Sequence, residues 1–161
     1  MSTVETTDFK TPKSWLTLAV FLLIVIGIGG LIGASTAPGE WYATLQKPPF
    51  NPPNWVFGPV WFALYVLIAV AGWRTFLADA TGLGMKLWGA QMLLNWAWSP
   101  TWFTLQLVWP AFAIIVCLLA VILAFIANRW QPDRLTAWLF MPYAAWVAFA
   151  SLLNFSIGVL N

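Results

Sequence analysis

The chain has 161 residues, of which 61% are hydrophobic and 7% charged, with seven Lys and Arg against five Asp and Glu. Soluble domains carry ~25% charged residues, so this chain lacks the polar surface to face water on all sides. A net charge of +2 leaves no nucleic-acid footprint, and the lack of histidine excludes histidine-ligated metal, histidine general bases and Ser-His pairs.

A mean hydropathy of +0.82 is concentrated in repeated long apolar runs. The runs are continuous, not alternating, so spanning helices are the expected way to satisfy the backbone in lipid. A span takes ~20 apolar residues. The pattern predicts an all-α integral membrane bundle of five transmembrane helices, with a long Pro-rich loop between the first two. Residues 1–14 read as a disordered tail and 15–161 as the membrane domain.

Span one runs from about Trp15 to Gly33, with a glycine-rich exit. A cleaved signal peptide is the rival reading, because lysines precede the run and Ala34 to Ala37 follow it. The run is longer than the usual core of ~7–15 residues, and Pro38 makes a poor cleavage position. From Trp41 to Trp61 the chain reads WYATLQKPPFNPPNWVFGPVW. The pairs Pro48-Pro49 and Pro52-Pro53 lack backbone donors and fix φ, so a semi-rigid, non-helical strap is expected. A strap this apolar should fold over something. Span two begins near Trp55, with Asn54 as a candidate N-cap and Pro59 as a candidate kink, and ends near Leu77. Span three runs from Met85 to Leu107, interrupted by Pro100. Span four covers Pro110 to Asn128, and span five Leu135 to about Leu160. Short loops favour antiparallel neighbours. The single cysteine, Cys117, can form no intrachain disulfide.

With five spans, Lys10, Lys13, Arg74, Lys86, Arg129 and Arg134 fall on one face and only Lys47 on the other. The positive-inside rule then puts the N-terminus and loops two and four in the cytoplasm. Loop one, the strap, and the C-terminus go to the opposite side. Among thirteen tryptophans, Trp15, Trp55, Trp73, Trp88, Trp102, Trp109, Trp130 and Trp138 lie near span ends and fit an interfacial belt. Trp61, Trp96, Trp98 and Trp146 lie deeper or near Pro100.

Polar residues inside spans are costly unless paired or lining a cavity. Gln91, Asn95 and Ser99 share one face of span three by their spacing of four. Pro142, Trp146, Ala150 and Asn154 repeat that spacing in span five, as do Phe57, Trp61 and Tyr65 in span two. These faces are expected to meet in a common interior. Two readings stay open there: hydrogen bonds that only join helices, or a ligand pocket. No Asp, Glu, Lys or Arg falls deep in a span, which argues against an ion relay. The available chemistry suits a flat apolar ligand stacked on Trp and Tyr and oriented by a few amides and hydroxyls.

Three ordered motifs carry a resemblance: WYxxLxKPxFxPPxWxFxxxW from Trp41, QxxxNxxWSxxxF from Gln91, and PYxxWxxFAxxLN from Pro142. Together they resemble the TspO/MBR family of tryptophan-rich sensory and translocator proteins, over about residues 15 to 160. The resemblance implies a five-helix membrane protein, commonly a homodimer. It implies no required cofactor, but a tetrapyrrole ligand (protoporphyrin IX or haem) and benzodiazepine-type ligands, in a pocket beneath the first loop. The positions matching the family's pocket are Tyr42, Trp61, Tyr65, Asn95, Trp98, Trp146 and Ala150, with no metal site. It also implies an alternative, photo-oxidative porphyrin degradation, for which Trp61 and Trp146 would be the catalytic side chains. The cholesterol pattern after the last helix needs a Tyr and then a Lys or Arg, which Leu153 to Asn161 do not supply.

Overall fold

The computed structural model describes residues 9–161, and the described residues contain six α-helices and no strand. The expected tail lies outside the described residues as far as residue 8. Helix α1 begins three residues ahead of Trp15 and spans Pro12–Ser35. Pro12 suits a first helical position, where no donor is needed. The Thr11 hydroxyl caps the helix by accepting from the Ser14 amide at 3.2 Å. The glycines do not end α1; it closes at Thr36, whose amide and hydroxyl both donate to the Ile32 carbonyl.

The strap is not wholly irregular. Glu40–Thr44 form a short helix, α2, which corrects the expectation of a non-helical strap ahead of span two. Its residues precede the first proline pair, so every amide is free to bond. Residues 45–53 are non-helical, and Asn54–Val56 make one 3-10 turn leading into α3, Phe57–Ala78. Asn54 therefore starts that turn and makes no capping bond. Pro59 falls in the first turn of α3, where a missing donor costs nothing.

Helix α4 spans Leu83–Ser99 and passes into a π-turn over Pro100–Thr104. Pro100 cannot donate to the preceding turn, and the Leu105 amide reaches back to the Pro100 carbonyl instead. Gln106 then adopts a φ of 56°, reversing the chain into α5, Val108–Arg129. Helix α6, Arg134–Leu160, is capped by Asp133 and carries Pro142 in its interior.

Among the described residues, four helical segments are long and apolar enough to cross a membrane: Pro12–Ser35, Asn54–Ala78, Val108–Arg129 and Arg134–Leu160. The expected count was five. Cut at Pro100, α4 has 17 residues and falls short by itself. The core lies among α3, α4, α5 and α6, where Ile68, Met92, Ile115, Phe125, Phe140 and Val147 are buried. Helix α1 is peripheral, burying only Ser14, Val25 and Gly29.

Three tryptophans expected in the belt are instead core residues. Trp73, Trp88 and Trp102 are buried. Trp73 donates to the Ser14 carbonyl at 2.9 Å, and Trp88 to the Ile68 carbonyl at 2.9 Å. Gly72 makes the room for Trp88: a Cβ there would sit 2.7 Å from Trp88 Cζ2. Trp15, Trp55, Trp109 and Trp138 are exposed, as belt residues should be.

Candidate functional site

A cavity of about 360 Å³ lies between the C-terminal part of α1, α3 and α4. Its walls are mostly aromatic and apolar. Trp61, Tyr65, Trp98 and Phe103 supply rings, while Asn95, Ser99 and Thr36 supply polar groups. Thus four of the seven expected positions, Trp61, Tyr65, Asn95 and Trp98, line one space. That volume lies at the lower end of the ~300–1,000 Å³ usual for small-molecule sites.

A directed hydrogen-bond chain forms the polar floor. The Tyr65 hydroxyl donates to Asn95 Oδ1 at 3.2 Å, and Asn95 Nδ2 donates to the Tyr143 hydroxyl at 2.8 Å. Tyr143 donates onward to Gln91 Oε1 at 2.9 Å. Gln91 and Tyr143 are fully buried, and Gln91 Nε2 ends the chain without a protein partner. The chain ties α3, α4 and α6 together at one level. Tyr143 was absent from the expected site residues, although the PY motif contains it.

The remaining three positions sit elsewhere. Tyr42 and Ala150 border a second space of about 20 Å³, which shares Phe57, Trp98 and Phe103 with the first. Trp146 borders neither. Its ring meets Phe57 edge-on, with centroids 5.8 Å apart, and its buried Nε1 has no partner. Phe57 therefore stands between Trp146 and the larger cavity. Trp61 packs on Tyr65 and edge-on against Tyr143, at 5.6 and 6.3 Å between centroids. Trp98 Nε1 donates to Asn154 Oδ1, and Asn154 Nδ2 to the Val108 carbonyl. Asn154 is thus spent on joining helices.

Beside this site, the end of α1 meets α4 and the strap meets Phe103. The Thr36 hydroxyl, already donating to Ile32, accepts from the Ser99 hydroxyl at 2.6 Å. Tyr42 is buried edge-on against Phe103 and donates to Asn51 Oδ1 at 3.1 Å. Burial pushes the Tyr42 phenol above its ordinary value, outweighing the opposing effect of Asn51, so it stays a neutral donor. Lys47 lies 4.6 Å over the Tyr42 ring. Further along, the Gln46 amide donates to Asn161 Oδ1 at 2.9 Å, and Asn161 Nδ2 donates to the Gln46 carbonyl at 3.0 Å. No sequence signal pairs these two residues, which lie 115 positions apart.

Fold and site together define an all-helical membrane protein with an aromatic internal cavity. Residues 17–160 match the TspO/MBR family, and the chain belongs to it. It is similar to Protein CrtK of Rhodobacter capsulatus, 35% identical over 150 residues, which cover 91% of this chain and 94% of that one. The tryptophan-rich sensory protein of Cereibacter sphaeroides is 34% identical over 145 residues, 89% and 92% of the two chains. The translocator protein of Bos taurus is 36% identical over 148 residues, 85% and 86% of the two chains.

Proposed function

We propose that this protein is a membrane receptor or sensor for flat, apolar, aromatic ligands, held in the cavity between α1, α3 and α4. The ligand class is tetrapyrroles such as protoporphyrin IX or haem, together with benzodiazepine-type molecules, in porphyrin handling or transport. One observation carries this reading: rings from Trp61, Tyr65, Trp98 and Phe103 border one space whose polar centre is Asn95. Aromatic walls stack on a macrocycle, and an amide and a few hydroxyls orient its polar edge. With no histidine in the chain, haem would be held by stacking and not by the usual axial ligand.

The membrane arrangement is part of the proposal. Helix α4 continues without a gap through the π-turn to Thr104, and we read Leu83 to Thr104 as a fifth span. The N-terminus and the loops after α3 and α5 lie in the cytoplasm, on the basic side. The strap and the C-terminus lie opposite, the strap acting as the lid of the site. A second copy of the chain completes a homodimer. No observation favours photo-oxidative degradation: Trp146, one of its two indoles, lies behind Phe57 and outside the cavity lining.

Titration with protoporphyrin IX tests the reading. Saturable quenching of tryptophan fluorescence is expected, with affinity weakened about tenfold in Trp61→Ala, the loss of ~1–1.5 kcal/mol of ring contact. Quenching that never saturates, or an affinity unchanged in Trp61→Ala, would count against it.

A further inference from the structure

The cavity is bounded differently toward the strap and toward the outside of the bundle. Toward the strap, where exposed Ala37, Pro38 and Asn54 border it, the end of α1 is tied to α4 by the Ser99–Thr36 bond at 2.6 Å and Tyr42 of the strap is buried on Phe103. Toward the outside of the bundle it is bordered by Gly30 and Gly33 of α1 and by Gly58 and Phe62 of α3, all exposed. Phe62 is 59% exposed.

Glycine within a membrane helix usually lets a neighbour approach closely. At Gly29 that explanation holds, since an added Cβ would collide with the Tyr65 ring. At Gly30, Gly33 and Gly58 it fails, because an added Cβ would meet nothing within 4 Å. A helix-interior glycine such as Gly30 costs ~0.5–1 kcal/mol relative to alanine, and close packing accounts for none of the three. What they do is keep the border of the cavity free of side chains. Below this level the two helices are pinned together by Tyr65 on Gly29, Phe21 on Phe76 and Trp73 on Ser14. Gly30 lies ~8 Å from the end of α1 along its axis, at the depth of hydrocarbon in a ~30 Å core.

We propose that this seam between α1 and α3 is the mouth of the cavity, through which apolar ligands enter and leave sideways from the bilayer, not from water past the strap. The proposal rests on reading the cavity as a ligand site. The strap, held by Tyr42 on Phe103, then serves as a wall during exchange, and the ligand reaches its aromatic walls without crossing water. Partitioning into lipid raises the local concentration of such a ligand, and a lateral mouth uses that concentration directly.

A labelling experiment without ligand tests the mouth. Asn95→Cys in a Cys117→Ala background places the one thiol on the α4 wall of the cavity and leaves the Ser99–Thr36 bond in place, in protein reconstituted in phosphatidylcholine vesicles. Wild-type Cys117, exposed on α5, is the lipid-facing reference. Bilayer-dissolved N-pyrenylmaleimide is expected to label the Asn95→Cys thiol, and a charged, membrane-impermeant maleimide to leave it unlabelled. Adding Gly30→Phe should slow pyrenyl labelling about tenfold, while leaving the rate at Cys117 unchanged in the otherwise wild-type chain. Gly58→Phe plugs the seam from the facing helix and repeats the test if Gly30→Phe fails to fold. Labelling by the charged reagent, labelling by neither reagent, or indifference to both plugs would each overturn the lateral mouth. Failure of protoporphyrin to bind the wild type would remove the proposed ligand and leave this result standing.

Discussion

Asn95 Nδ2 donates to the Tyr143 hydroxyl at 2.8 Å, and this bond places α6 at the floor of the cavity without lending it a wall. The same carboxamide accepts from Tyr65, so one residue of α4 fixes a ring in the cavity and a buried ring behind it. Tyr143→Phe removes both bonds of that hydroxyl and leaves Gln91 with neither end of its amide partnered. A stability loss of about 1–2 kcal/mol is expected, above the ~0.6 kcal/mol average for interhelical hydrogen bonds in membranes. Adding Gln91→Leu should recover part of it, because removing both partners costs less than stranding one. Unfolding in a denaturing detergent titration measures both.

Adjacent glycines should respond in opposite directions. Gly29→Ala drives a methyl into Tyr65, whose Cζ would lie 2.6 Å away. The ring must move and its bond to Asn95 breaks, at a cost of about 1–3 kcal/mol. Gly30→Ala meets nothing and should be neutral or stabilising by up to ~1 kcal/mol through helix propensity. Thermal unfolding of the two variants side by side is the measurement. Equal melting temperatures would mean that Tyr65 yields freely.

The same geometry shows what a sequence can and cannot reveal here. The long helices were legible because apolar runs and prolines, Pro100 among them, mark them; the short helix α2 was not, because nothing apolar or periodic sets Glu40–Thr44 apart. The faces of α3 and α4 were legible too: Trp61 and Tyr65, and Gln91 and Asn95, point where their spacing said. On α6 the spacing misled. A strict step of four advances ~40° around the helix each time, since 3.6 residues make a turn. Begun at Pro142, the row starts on the wrong side: Pro142 is exposed and Trp146 half-buried, and only Ala150 and Asn154 reach the interior. The buried row is Tyr143, Val147, Ala150, Asn154 and Ile157, alternating steps of four and three. That row contains Tyr143, which joins Asn95 to Gln91 in the hydrogen-bond chain.

The clamp between Gln46 and Asn161 gives a local prediction. Both are exposed polar residues far apart in the chain, so nothing in their sequence context joins them. Asn161→Ala releases the Gln46 amide from its acceptor, and that amide should exchange with solvent faster by about fivefold or more. The Tyr42 to Asn51 segment should loosen with it, while α5 and α6 keep their protection. Unchanged exchange at Gln46 would show that the proline pairs alone hold the strap.

At the far end of the bundle, Arg74 of α3 reaches the cap of α6. Its Nε and a terminal nitrogen donate to the two carboxylate oxygens of Asp133, each at 3.0 Å. Thr136 adds an amide and a hydroxyl to the same carboxylate. Burial alone would raise the Asp133 carboxyl; the hydrogen bonds from Arg74 and Thr136 and the guanidinium charge outweigh it and hold the group below its ordinary value. A carboxyl lower in the folded than in the unfolded protein contributes stability at every pH above its unfolded value of about 3.9. That contribution falls away as pH drops from there through the folded value. Stability should therefore be flat from pH 7 to about 5 and decline below about 4. Asp133→Asn keeps a capping acceptor for the Thr136 amide but removes the charge. It should cost about 1 kcal/mol at pH 7 and flatten the acid limb. Asp133→Ala loses the cap as well and should cost ~1 kcal/mol more. An acid limb that persists in Asp133→Asn would assign the pH dependence to another carboxylate.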